Sequence, residues 1–169
     1  MIERNQSSPD QAPRRDDKAA VIASLGEVIV RWQDATQRHD EAVGEIFGLS
    51  AAERLCLSFL WPGPQTASAI ARHVRLTPAA VTALIDRLEK RGFVRRRPDP
   101  DDRRKVLVEA AEEAQRVTAE AYLPLRDAGE AALAKYSAAE LRIVAAVLDD
   151  SLRIQEEMTR QLLARHGKG

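Results

Sequence analysis

Two short amphipathic runs, residues 67–74 and 77–91, stand only two residues apart, and this spacing constrains the fold more than any other feature. The first run carries Ile70, Ala71 and Val74 at helical intervals. The second carries Val81, Leu84, Ile85 and Leu88 on one face. Thr77 reads as an N-cap and Pro78 as the first helical residue, where a missing backbone donor does no harm. Gly92 supplies the stop. Arg75 and Leu76 leave room only for a turn, so the two helices must pack as a helix-turn-helix.

The segment beyond Gly92 is strand-like. Residues 93–97 begin Phe-Val and continue with three arginines, and residues 104–109 contain Val106-Leu107-Val108. Between them lies the turn-forming run Pro98-Asp99-Pro100-Asp101-Asp102-Arg103. A β-hairpin directly after a helix-turn-helix is a wing. Upstream, Ser50 and Glu53 form a capping box ahead of a helix with Leu55, Cys56, Phe59 and Leu60, stopped by Trp61-Pro62-Gly63-Pro64.

The flanks read as longer helices. Val21, Leu25, Val28, Trp32, Ala35, His39, Val43 and Ile46 form one stripe ending at Gly48. Beyond Ala110 the pattern is helical to about Lys135, with a bend expected at Pro124. Ser137 and Glu140 open a last helix whose stripe runs from Leu141 to Leu162. The expected organisation is a disordered tail over 1–17, a winged helix-turn-helix over 49–109, and a helical dimerisation region over 18–48 and 110–165. The fold class is mainly α with a small β-hairpin wing. Neither terminal stripe finds cover on a small winged helix, so a homodimer is expected.

Charge narrows the partners. The chain has 26 basic and 26 acidic residues, a formal net charge of zero. Residues 63–105 nevertheless hold 11 basic against 5 acidic groups, a local excess of +6. A basic module between acidic flanks suits phosphate binding on a non-binding scaffold. One cysteine excludes an internal disulfide, and three scattered histidines give no zinc spacing, so no cofactor or metal is expected. No apolar run approaches the ~20 residues of a membrane span. The N-terminus lacks the apolar stretch of a signal peptide, so a cytoplasmic protein is expected. The phosphate loop and the serine-nucleophile motif are both missing, so an enzyme is not expected.

The run from Val81 to Glu109, with Val81-Thr82, Asp86-Arg87-Leu88-Glu89-Lys90-Arg91-Gly92 and the wing residues Asp102 and Arg104, resembles the MarR family of bacterial transcription regulators. Two positions depart from that pattern. Arg75 stands where the family often has glycine, and Asp101 stands at the first arginine of the family's wing motif. The resemblance implies a dimeric regulator of double-stranded DNA with a pseudo-palindromic operator, a repressor released by a small aromatic or anionic effector.

Thr77, Pro78, Ala79, Thr82, Ala83, Asp86 and Lys90 are then the reading surface of the second helix. Thr82 is suited to a base edge and the alanines to a thymine methyl. Asp86 is assigned either to a cytosine amino group or to an i,i+4 pair with Lys90. Arg87, Arg91 and Arg95 are assigned to phosphates. Arg103 and Arg104 are assigned to the minor groove, or to a pair with Asp102. Trp32, His39, Arg54 and Trp61 are the candidate effector contacts, offering rings and donors to a flat anion. Two alternatives remain at this point: a winged-helix module that binds protein, and a redox-sensing regulator acting through Cys56. Against the second, Cys56 sits among apolar neighbours as a buried thiol would.

Overall fold

A computed structural model describes residues 15–102 and 104–166. Residues 1–14 of the expected tail, and Arg103, lie outside the described residues. The chain divides into two compact units between Gln115 and Arg116.

In the first unit, helix α1 spans Arg15–Phe47. It starts before the expected Lys18, so residues 15–17 are helical; Asp17, an acid in the first turn, suits the positive end of the helix dipole. Gly48 ends it at φ +61°. Helix α2, Ala51–Leu60, opens on the expected capping box: Ser50 Oγ accepts from the Glu53 N–H, and the Glu53 carboxylate accepts from the Ser50 N–H at 2.9 Å. Strand β1 is the residue pair Gln65–Thr66. Helices α3, Ala67–Val74, and α4, Pro78–Lys90, form the helix-turn-helix, with Thr66 and Thr77 as N-caps. Ile70, Val81, Leu84, Ile85 and Leu88 are buried, as the apolar spacing requires.

Strands β2, Val94–Pro98, and β3, Val106–Ala110, make the wing, and the sheet order is β1-β3-β2. The expected hairpin is therefore a three-stranded antiparallel sheet. Gln65 pairs with Val108 and Thr66 with Leu107, so a two-residue stretch with no strand pattern of its own is recruited by the free edge of β3. The turn into β2 uses Gly92 at φ +76°. Phe93, Val94 and Val108 close the core beneath it.

Helix α5, Glu112–Val117, leads across the boundary into the second unit. A π-helical turn, Thr118–Tyr122, separates it from α6, Leu123–Leu133. Here the Leu123 N–H reaches back to the Thr118 carbonyl. The expected irregularity at Pro124 thus takes the form of a widened turn, because proline has no N–H to return to the preceding turn and its ring crowds the carbonyl there. Helix α7, Ala138–His166, opens on Ser137 and Glu140 as a second capping box. Its Ile143, Val144, Leu148, Leu152, Met158 and Leu162 are exposed. In the first unit, Val21, Ile22, Leu25, Val28 and Trp32 of α1 are exposed as well.

Candidate nucleic-acid interface

Helix α4 buries Val81, Leu84, Ile85 and Leu88 and therefore must turn the intervening residues outward. Thr77, Pro78, Ala79, Thr82, Ala83, Asp86, Arg87 and Lys90 are all exposed at the surface. The Thr82 hydroxyl donates to the Pro78 carbonyl at 3.0 Å. Its proton is thereby used inside the helix, so Thr82 offers an incoming base a lone pair and a methyl group rather than a donor. An open groove of about 410 Å³ between α3 and α4 is bounded in part by Ala71, Arg72, Leu76, Pro78 and Thr82. Arg72, on the last turn of α3, is exposed beside this surface and was not anticipated from sequence.

The arginines divide by what holds them. Arg96 of β2 bonds both Asp86 (2.6 Å) and Glu89 of α4, and its backbone N–H donates to Glu89 at 3.0 Å. Asp86 thus pairs with Arg96 and not with the expected Lys90, because the Gly92 turn folds β2 back along the last turns of α4. The same contact fills a backbone donor on an edge strand. Arg95 and Arg97 of β2 each donate to Glu109, at 2.6 and 2.7 Å. Glu109 lies opposite Arg95 in the ladder. These bonds, from Arg95 first and Arg97 second, hold the Glu109 carboxyl below the ordinary carboxylate range.

Arg87 and Arg91, expected at phosphates, are both exposed and each holds a partner within this unit. Arg91 donates to the Gly48 carbonyl at 2.9 Å and the Phe47 carbonyl at 2.8 Å, and its guanidinium lies 4.8 Å from the Phe93 ring centre. Arg87 stands 3.5 Å from Glu53. Burial alone would raise the Glu53 pKa, but the backbone and side-chain hydrogen bonds from Ser50, then the charges of Arg87 and Arg91, hold it low. Arg104 is the contrast: its side chain is 94% exposed, with only a long 3.6 Å approach to Asp102. That approach is the expected pair within the wing.

Residues 49–106, which hold α2, the helix-turn-helix and most of the wing, match the family model described as the MarR family. This central segment is similar to the MarR family. The uncharacterized HTH-type transcriptional regulator YcgE of Bacillus subtilis is 32% identical over 100 residues, covering 59% of this chain and 65% of that protein. The matched stretch thus spans just under two thirds of the length of that curated relative. A crystal structure of a MarR-like transcriptional regulator from Thermotoga maritima is 24% identical and covers 77% of this chain and 95% of its own, at a TM-score of 0.57. A MepR variant from a multidrug-resistant S. aureus clinical isolate shares the fold at a TM-score of 0.57 and 18% identity, covering 79% of this chain and 96% of its own.

Within this matched segment, Cys56 is fully buried. Burial, followed by the charge of Glu53, pushes its thiol up to about 12. A peroxide-reactive cysteine needs the opposite, an accessible thiolate. The four candidate effector residues stand apart from the groove between α3 and α4, which none of them lines. Arg54 donates to the Leu49 carbonyl at 2.9 Å and packs so closely on Gly44 that a Cβ there would collide with its guanidinium. Its charge is committed to the α1–α2 junction. Trp32 and Trp61 are exposed, and His39 is half-buried on α1. No helix among the described residues is long and apolar enough to cross a membrane.

Proposed function

We propose that the protein is a transcriptional regulator that binds double-stranded DNA through α4 and the wing. The observation that carries this reading is the outward row Ala79, Thr82, Ala83 and Lys90 on a helix whose opposite face is fully buried, beside the exposed cations Arg72 and Arg104. Small side chains let the helix approach base edges closely, and the flanking cations meet phosphates. No Arg, Asn or Gln stands on the first outward turn, so sequence preference leans on groove shape and DNA deformability. A protein-binding winged helix would not need this distribution of cations.

The finer reading is a homodimeric repressor on a pseudo-palindromic operator, released by a small aromatic or anionic effector. The exposed apolar residues of α1 and α7 support the dimer, since an uncovered stripe of that length is costly in water. The test is a gel shift on the DNA immediately upstream of the protein's own gene, repeated with a panel of phenolic acids. A retarded complex dissolved by one of the acids is expected. No complex at low salt would defeat the DNA reading, and a complex indifferent to every acid would defeat the effector class.

A further inference from the structure

We infer that Arg91 is a positioning residue for DNA recognition, fixing the angle between α4 and α1 rather than touching DNA. The inference rests on the DNA reading proposed above. Its starting point is an electrostatic gap: the last turn of α1 contains no basic residue. Its terminal carbonyls form the negative end of a 33-residue helix and need donors and a cation. Both come from the C-terminal end of α4. One guanidinium spans the Phe47 and Gly48 carbonyls at 2.8 and 2.9 Å, across more than 40 residues of sequence. Its packing against the Phe93 ring fixes the plane of the fork.

A second arginine, one helical turn earlier, completes the clamp. Arg87 engages Glu53, whose other contacts are the N–H and hydroxyl of Ser50 at the start of α2. The same junction is tied by Arg54 on the Leu49 carbonyl. The last turn of α4 is thus held at the α1 terminus and at the α2 N-cap. Two attachment points on one helix fix its direction as well as its position. If α1 carries the dimer seam, the clamp relays the geometry of that seam to the two recognition helices and so sets the half-site spacing.

Phosphate binding and positioning make different demands on the side chain. A phosphate contact needs a positive charge, which lysine keeps. Spanning two consecutive carbonyls needs the planar fork, which lysine lacks. The test therefore uses the full-length wild type, Arg91→Lys and Arg91→Ala. Each is titrated at several salt concentrations onto a duplex that the wild type has selected from a random-sequence pool, and onto versions with the half-site spacing changed by one base pair. Both variants are expected to lose about tenfold in specific affinity, comparable to the loss of a charge-assisted hydrogen bond. Both are expected to discriminate less between spacings and to keep the wild-type slope of log affinity against log salt. A slope flattened by about one in Arg91→Ala, with Arg91→Lys behaving as wild type, would show a phosphate contact and overturn the inference. Wild-type behaviour of both variants would overturn it too. If the wild type selects no duplex at all, the DNA reading itself falls and takes this inference with it.

Discussion

The carboxylate of Asp86 on α4 and the guanidinium of Arg96 on the first wing strand meet at 2.6 Å. The pair joins two elements that the sequence treats separately, and it turns a candidate base contact into a brace between helix and wing. Both side chains are partly exposed, Arg96 at 32% and Asp86 at 59%, so water screens the attraction. A double-mutant cycle of Asp86→Ala and Arg96→Ala, followed by urea unfolding, should give a coupling of about 0.5–1 kcal/mol. Strictly additive losses would show that the brace contributes nothing.

Arg75 is the one non-glycine residue with positive φ among the described residues, at φ 54° and ψ 43°. Its N–H closes the end of α3 on the Ala71 carbonyl. The left-handed conformation costs an L-residue about 1–2 kcal/mol, while glycine gives back about 0.4–1 through the unfolded chain. Arg75→Gly should therefore stabilise the protein by about 0.5–1 kcal/mol in denaturant unfolding. A destabilised Arg75→Gly would mean that the arginine side chain makes a compensating contact.

Local chemistry was legible in the sequence. Ser50, Thr77 and Ser137 cap helices where their spacing to Glu53, Pro78 and Glu140 predicts. Helix α4 buries the four residues its period selects. What escaped the sequence is decided by partners far along the chain. Strand β1 exists because β3 has a free edge, and Gln65–Thr66 carries no signal alone. Helical period was enough to select the outward residues of α4, but it could not place the arginines. A guanidinium reaches carbonyls or carboxylates wherever the fold brings them, so Arg91 found Gly48 and Arg54 found Leu49. Only Glu109 had a usable signal, since pairing the two wing strands sets it opposite Arg95.

The wing should respond oppositely to two substitutions. Glu109→Gln removes the carboxylate shared by Arg95 and Arg97 and frees both for phosphates. It should raise affinity for random DNA and steepen the plot of log affinity against log salt by about one to two. Arg104→Ala should flatten that slope by about one and weaken specific binding by about 1–3 kcal/mol. Unchanged slopes in both variants would remove the wing from the interface. The Glu109 pKa is lowered in the folded state, so its pairing stabilises the protein above the ordinary carboxylate range and that contribution is lost as pH falls through the lowered value.

Cys56 should be silent in the folded protein. Its thiol, pushed up to about 12, stays protonated at neutral pH. A thiol-specific disulfide reagent at pH ~8, near the ordinary cysteine pKa, should leave it unmodified until denaturant is added, and peroxide should not alter DNA binding. Because the folded pKa is raised, this group's stabilising contribution is complete below its unfolded value, roughly 8.5, and is lost as pH climbs towards the folded one. Stoichiometric labelling of the native protein within minutes would reopen the redox reading.

The central claim is that the outward face of α4 enters DNA, and Ala83 tests it most directly. Ala83 is exposed and sits between Thr82 and the buried Leu84. Glutamate is a good helix former, so Ala83→Glu should leave the thermal midpoint nearly unchanged. It places a carboxylate where the groove of a polyanion would lie. Fluorescence anisotropy with a duplex selected by the wild type should show binding weakened by about 100-fold or more, equivalent to about 2.7 kcal/mol. Wild-type affinity in a folded Ala83→Glu protein would contradict the account, because no DNA could then be packed against that face.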